Sequence, residues 1–272
     1  MEIGVVLGYS KSLGDEFKWC AENNINTCQL GVSPEKLTPE TAAEIKKLCE
    51  AHGIRITALV GAWSGPSEWN FTGGPATLGI VPPAYRAIRM QELENCARFA
   101  QMLNVKDVCT HLGFIPENPS DQLYADFITA LRYLTGYYKS LGINLNMETG
   151  QETPVTLLRV IQDVKADNLG LNFDPANLLM YGKANPIDTL PMVGKYINGV
   201  HAKDGEYPTD GLSLGEEKPL GQGQVNIGLF IRTLHEIGYR GAITIEREIS
   251  GEQQKKDVLA ANQMLQEIIS SL

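Results

Sequence analysis

A closed (β/α)8 barrel is the fold class this sequence predicts, and three observations predict it. Short β-branched or apolar runs alternate with longer segments of helical periodicity along the whole chain. Those short runs are apolar nearly throughout, as parallel strands buried on both faces must be. The junction helix–glycine–strand also recurs, as HGIRITAL, LGINLNME and IGYRGAITIE. A length of 272 residues suits one such barrel, which takes about 250. The expected organisation is therefore a single domain over residues 1–272, with no linker, low-complexity tract or short repeat. An open doubly wound sheet is the alternative topology. Its nucleotide-binding versions lose support, because no GxGxxG follows the first strand and no GxxxxGK[ST] occurs.

Eight strands are expected, at residues 3–7, 27–31, 54–60, 107–111, 144–148, 169–174, 199–201 and 242–246. A helix over 39–52 starts after Thr38, an N-cap residue type, and stops before Gly53. A second, over 84–103, carries apolar residues at Ile88, Leu93, Ala97 and Ala100. A third, over 122–141, ends at Gly142. Thr153 followed by Pro154 opens a fourth, with a cap and a proline at its first position. The fifth covers 227–237 and the last 253–269. Two connections are longer than ordinary loops, 61–83 and 203–223. Both follow strands, so in a barrel both lie on the rim where active sites are built.

Composition narrows the function classes. With 43% hydrophobic and 20% charged residues the chain has an ordinary globular mix. A net charge of −9 repels phosphate backbones, so no nucleic-acid partner is expected. No apolar run reaches the roughly 20 residues of a membrane span, so no membrane partner is expected either. The opening MEIGVVLGYSKS lacks the basic start and apolar stretch of a secretory signal. Five scattered cysteines without CxxC spacing argue against a disulfide framework, and a cytoplasmic location is expected.

Four strand ends finish on polar residues: Glu148 in NLNMETG, Asp174 in GLNFDPAN, His201 in GVHAKD and Glu246 in AITIEREI. They fall in consecutive strands five to eight, whose C-terminal ends converge on one mouth. Each alone is ordinary, since buried carboxylates pair and histidines fill cores. Three carboxylates gathered without a cation would carry a large electrostatic cost. The set of oxygens with one imidazole suits one divalent metal ion, Mn²⁺, Mg²⁺, Co²⁺ or Zn²⁺. Glu248 shares strand parity with Glu246 and is the alternative eighth-strand ligand. Arg247 has the opposite parity and is expected to leave the axis.

Further candidates surround this set. His111 ends the fourth strand and can bind substrate or move a proton. Lys203 shares the parity of His201 and can hold a substrate oxygen, or can simply be solvated beside Asp204. Asn177 can bind substrate or cap a helix, and Trp63 and Trp69 can stack on a sugar face or pin their loop. His52 and His235 sit in last helical turns, where they favour the helix dipole.

The segments NMETGQETP, NFDPANLLMYG, GVHAKDG, PLGQGQVN and GYRGAITIERE carry a resemblance. Over nearly its whole length the chain resembles the sugar-phosphate isomerase/epimerase group with the xylose-isomerase-like TIM barrel. That superfamily includes ketose 3-epimerases and inosose-converting enzymes. The resemblance implies that Glu148, Asp174, His201 and Glu246 are metal ligands and that Glu148 and Glu246 are also acid and base. It implies a small-molecule sugar substrate and is compatible with a homodimer. One departure stands out. Ketose 3-epimerases and several relatives carry D-x-x-H after the sixth strand, and here the segment is Asp174-Pro175-Ala176-Asn177. No basic phosphate-binding set is evident. The endonuclease IV type of the same superfamily needs more histidines than the four present.

The expected activity is a divalent-metal-dependent isomerase or epimerase of a ketose or related sugar, working by proton abstraction and an enediolate. A sugar or polyol dehydratase on the same site and a non-catalytic sugar-binding barrel are the alternatives, with metal-dependent hydrolysis behind them.

Overall fold

In the computed structural model, which describes residues 1–272, the eight expected strands close into a parallel barrel. They are β1 (Ile3–Gly8), β2 (Thr27–Val32), β3 (Arg55–Gly61), β4 (Asp107–Thr110), β5 (Asn144–Glu148), β6 (Leu169–Phe173), β7 (Ile197–Ala202) and β10 (Ile243–Ile245). The ring runs β1-β10-β7-β6-β5-β4-β3-β2, and every neighbouring pair is parallel. Two boundaries moved with consequence. β7 starts earlier than expected, because Ile197 pairs with Leu171 of β6. β10 is shorter, and Glu246 lies just past it. The Glu246 amide still donates to Ala202 O at 3.2 Å, which keeps the carboxylate side chain in register with β7.

The expected helices are α2 (Pro39–His52), α4 (Pro83–Leu103), α5 (Gln122–Ser140), α6 (Pro154–Val164), α9 (Ile227–Glu236) and α10 (Glu252–Ser270). Thr38 caps α2 by accepting from the Thr41 amide, and Gly53 closes it at φ +66°. Thr153 caps α6 in the same way, through the Thr156 amide. Four helices fall in stretches with no expected element: α1 (Leu13–Glu22), α3 (Gly74–Thr77), α7 (Pro175–Met180) and α8 (Pro186–Val193). The long connection after β7 contains a two-stranded antiparallel ribbon, β8 (Asp204–Gly205) with β9 (Glu217–Lys218). No helix is long and apolar enough to cross a membrane.

Apolar burial is concentrated between strands and helices. Leu30, Leu59, Val108, Leu145, Leu171 and Val200 point outward onto helix residues such as Phe17, Leu93, Phe127, Leu157 and Phe230. Alternate positions on the same strands face the axis, and there the buried side chains are largely polar: Gln29, Asn146, Asn172, His201 and Thr244, with Cys109.

Two buried charged residues organise the rim loops. Arg89, wholly buried on α4, donates to Ser64 O, Pro66 O, Thr77 O and Gly79 O at 2.5–3.0 Å. Its guanidinium also lies 4.4 Å from the Trp63 ring and 4.7 Å from the Tyr85 ring. One cation thus satisfies carbonyls that the irregular 61–83 backbone would leave unpaired. Where that loop passes the end of β4, Gly79 has φ +66°, and a Cβ there would meet the Leu112 carbonyl at 2.0 Å. Asp204 does the converse for the second loop. Its carboxylate accepts from the amides of Gly205, Gly221, Gly223 and Val225 at 2.9–3.0 Å.

Candidate metal centre and cleft

Strand geometry delivers four donors to one point. Glu148 is the last residue of β5, Asp174 follows β6, His201 lies in β7 and Glu246 follows β10. One ligand atom from each lies within 4.8 Å of the others. His201 Nδ1 stands 3.2 Å from Glu148 Oε1, 3.4 Å from Asp174 Oδ2 and 3.2 Å from Glu246 Oε2. Asp174 divides its oxygens. Oδ1 caps α7 by accepting from the Asn177 amide at 2.8 Å, and Oδ2 is left for the centre.

These residues fit a divalent cation. His201 Nδ1 and Asp174 Oδ2 are buried and make no hydrogen bond of proper geometry, although they sit at ion-pair distance from each other. Buried polar atoms without partners are rare. Here they converge on one point, and the donors are three hard oxygens and one imidazole nitrogen.

The electrostatics show how the chain holds the charges. Burial favours the neutral form of Glu148, but His111 and His201 outweigh it and hold the carboxyl at about 2. Burial likewise opposes ionisation of Glu246, and Lys203 and His201 reverse this, holding it well below the usual range. Asp174 goes the other way: burial outweighs the Lys203 charge and raises it. His111 would be lowered by burial, but the Glu148 carboxylate lifts it to about 9.

Lys203 is 1% exposed, which removes the solvated reading. Its ammonium lies 3.0 Å from Glu246 Oε2, 3.0 Å from Glu248 Oε1 and 3.8 Å from Asp174 Oδ2, and donates to Asn177 Oδ1 at 3.2 Å. Glu246 joins the four-residue cluster, whereas Glu248 stands at the exposed rim. His111 Nε2 lies 3.3 Å from Glu148 Oε1, and its Nδ1 is 3.1 Å from Gln151 Oε1. Arg247 leaves the axis as its parity required, and pairs with Glu217 and Asp257.

The cluster opens into a cavity of about 420 Å³, whose walls include Trp69, His111, Gln151, Asn177, Tyr181 and Leu214. A larger cavity, about 690 Å³ between the end of β1 and α10, has no such convergent donors. The two tryptophans divide the expected roles. Trp63 sits on Arg89 and does not line the cleft, while Trp69 lines it and packs edge-on to His111 at 4.9 Å between ring centroids. Gln151, Tyr181 and Leu214 were not anticipated. They lie on a loop, beyond a short helix and on the 203–223 connection, where no periodicity marks them.

A family model described as "xylose isomerase-like TIM barrel" matches residues 17–268. The chain belongs to that family. Its fold closely matches the crystal structure of a xylose isomerase domain protein from Planctomyces limnophilus, at 36% identity and TM-score 0.92, covering 98% of this chain and 96% of that one. A structure of a D-tagatose 3-epimerase-like protein shares the fold at 21% identity and TM-score 0.77, covering 99% and 97%. The 2-oxo-tetronate isomerase of Haemophilus influenzae is 25% identical over 222 residues, which is 78% of this chain and 80% of the relative. An uncharacterised protein of Methanocaldococcus jannaschii is 27% identical over 187 residues, 64% of this chain. That match spans 62% of the relative's own length.

Proposed function

We propose that the protein is a divalent-metal-dependent isomerase or epimerase acting on a ketose or related sugar. The single observation that carries this is the convergence of Glu148, Asp174, His201 and Glu246 on one buried point at the floor of a sugar-sized cleft. The isomerase and epimerase-like relatives support the reaction class.

Those four residues would hold Mn²⁺, Mg²⁺, Co²⁺ or Zn²⁺. When bound, such an ion supplies Lewis acidity, which acidifies the C–H beside a sugar carbonyl and offsets charge on a developing enediolate. The chain supplies the proton chemistry. Glu148, with the His111 imidazole 3.3 Å from its Oε1, is placed to accept a proton. Glu246, held ionised by the Lys203 ammonium 3.0 Å away, would serve as the second proton-transfer group. A proton returned to the opposite face of the same carbon gives an epimer. Returned to the neighbouring carbon, it gives an isomer. His111, Asn177 and Gln151 line the cleft where substrate hydroxyls would sit, and Trp69 offers an aromatic wall. A reducing, cytoplasmic setting is part of this reading, on the five scattered cysteines without CxxC spacing.

Solvent exchange tests the reading. The Mn²⁺-loaded protein is incubated with a panel of ketoses in heavy water, and deuterium on carbon is followed by NMR. Incorporation that stops on chelation supports the proposal. Binding without exchange across the panel overturns it in favour of a sugar-binding barrel, a reading prompted by Asn177 in the D-x-x-H position. Loss of water from the sugar identifies the dehydratase.

A further inference from the structure

On the side of the His201 ring away from the carboxylates, Nε2 lies 2.8 Å from Oε1 of Gln29. Gln29 comes from β2 and is 2% exposed. An amide oxygen only accepts, so the ring nitrogen facing it carries the hydrogen and donates. Two contacts set which end of the amide faces the imidazole. Gln29 Nε2 donates to Asn172 Oδ1 at 2.9 Å, and the Cys109 thiol donates to Gln29 Oε1 at 3.4 Å. Asn172 Nδ2 also lies 3.0 Å from His201 Nε2, but two N–H groups cannot bond each other, so the shorter 2.8 Å contact to the Gln29 oxygen is the one that takes the Nε2 hydrogen. β2 and β6 stand on opposite walls of the eight-stranded ring, so the Gln29–Asn172 bond crosses the barrel axis directly beneath His201.

A neutral imidazole has one N–H and one lone pair. If Nε2 holds the hydrogen, the lone pair is on Nδ1, the atom placed among three carboxylate oxygens. The other tautomer would put a hydrogen where a cation must sit. We propose that Gln29 is a positioning residue that holds His201 in its Nε2–H tautomer and so presents Nδ1 as a ligand to the divalent ion. This rests on the metal-site reading above. Gln29 touches neither the ion nor the sugar; it acts through His201.

The test uses Gln29→Leu, which removes the acceptor at similar volume, and Gln29→Glu, which keeps it. Co²⁺ affinity is read by optical titration and Mn²⁺ affinity by EPR, with circular dichroism confirming the fold. Gln29→Leu is expected to bind about 10–100-fold more weakly, the range for loss of a partner behind a metal-ligating histidine. Gln29→Glu is expected to bind at least as tightly as wild type. A structural role alone would weaken both variants alike, and that result overturns the proposal. Wild-type affinity in Gln29→Leu also overturns it, with the metal site left standing. Wild-type protein that binds neither ion removes the metal site and this proposal with it. A second readout needs no variant. In Zn²⁺-loaded wild type, the ¹⁵N spectrum should show the His201 hydrogen on Nε2, and a hydrogen on Nδ1 overturns the assignment.

Discussion

The Lys203 ammonium and the Glu246 carboxylate meet at 3.0 Å inside the barrel mouth, at a depth where the lysine is 1% exposed. The lysine also reaches Asp174 and Glu248, so it partly neutralises the acidic cluster. Removing one partner of a buried pair leaves an uncompensated charge and costs about 3 kcal/mol or more. Lys203→Met is expected to lose about that much in urea unfolding without metal. Added Mn²⁺ should restore more stability to the variant than to wild type, because the ion takes over the neutralising role. Equal metal stabilisation of both proteins would contradict this.

Glu148→Gln keeps the side-chain volume and removes the carboxylate proposed as the base. Proton transfer by a positioned side chain contributes about 10²–10⁴-fold. Deuterium exchange into substrate is expected to fall by at least about 10²-fold, with the fold intact by circular dichroism. Near-wild-type exchange would exclude Glu148 from proton transfer.

Glu152 gives a pH signature. It is buried, one carboxyl oxygen has no partner, and burial raises its pKa from 4.5 to about 8. The folded chain therefore binds this proton more tightly than the unfolded chain. The associated stability is fully present below 4.5 and is lost as pH rises towards 8. Against Glu152→Gln, which has no such proton, wild type should lose on the order of 3 kcal/mol between pH 5 and pH 8. Urea unfolding of both proteins at the two pH values measures it, and a pH-independent difference would rule it out.

Asp204→Asn tests the second rim loop. An asparagine still accepts at one oxygen, but its NH₂ would face two amide donors of the four that the carboxylate now satisfies. Hydrogen bonds to a charged acceptor are worth about 1.5–3 kcal/mol. The amides of Gly221, Gly223 and Val225 should exchange with solvent at least about tenfold faster, read by hydrogen-exchange mass spectrometry. Unchanged protection would show that the loop is held by other contacts.

Much of this architecture is legible before any coordinates. The strand ends at Glu148, Asp174, His201 and Glu246 interrupt apolar runs, and barrel topology alone brings such ends together. Thr38-Pro39 and Thr153-Pro154 mark helix starts that the structure retains. What escaped notice has physical reasons. α1 buries only Leu13, Phe17 and Cys20, so its apolar stripe is thin. α7 and α8 are a turn or two long, and α8 contains Pro191, which removes the periodic signal. The burial of Lys203 depends on partners from three other elements, which no local pattern encodes. Gln29 and Asn172 did leave a trace. Each is a polar residue inside an apolar strand, in TCQLGV and LGLNF, on the parity that faces the axis.

The division between a polar axis and an apolar outer shell has a consequence for how this chain can change. The greasy contacts that keep the barrel folded lie between strands and helices, outside the ring. Gln29, Asn172 and His201 lie inside it, with Gln29 joined to both of the others, and Asn146 bonds Asn198 and Asp107 there. Durability and chemistry are thereby carried by concentric layers that share a backbone but few side chains. Exchange of an inner residue alters the mouth and its charge balance, as at Lys203, and leaves the packing between strands and helices in place. The two layers are thereby open to separate change.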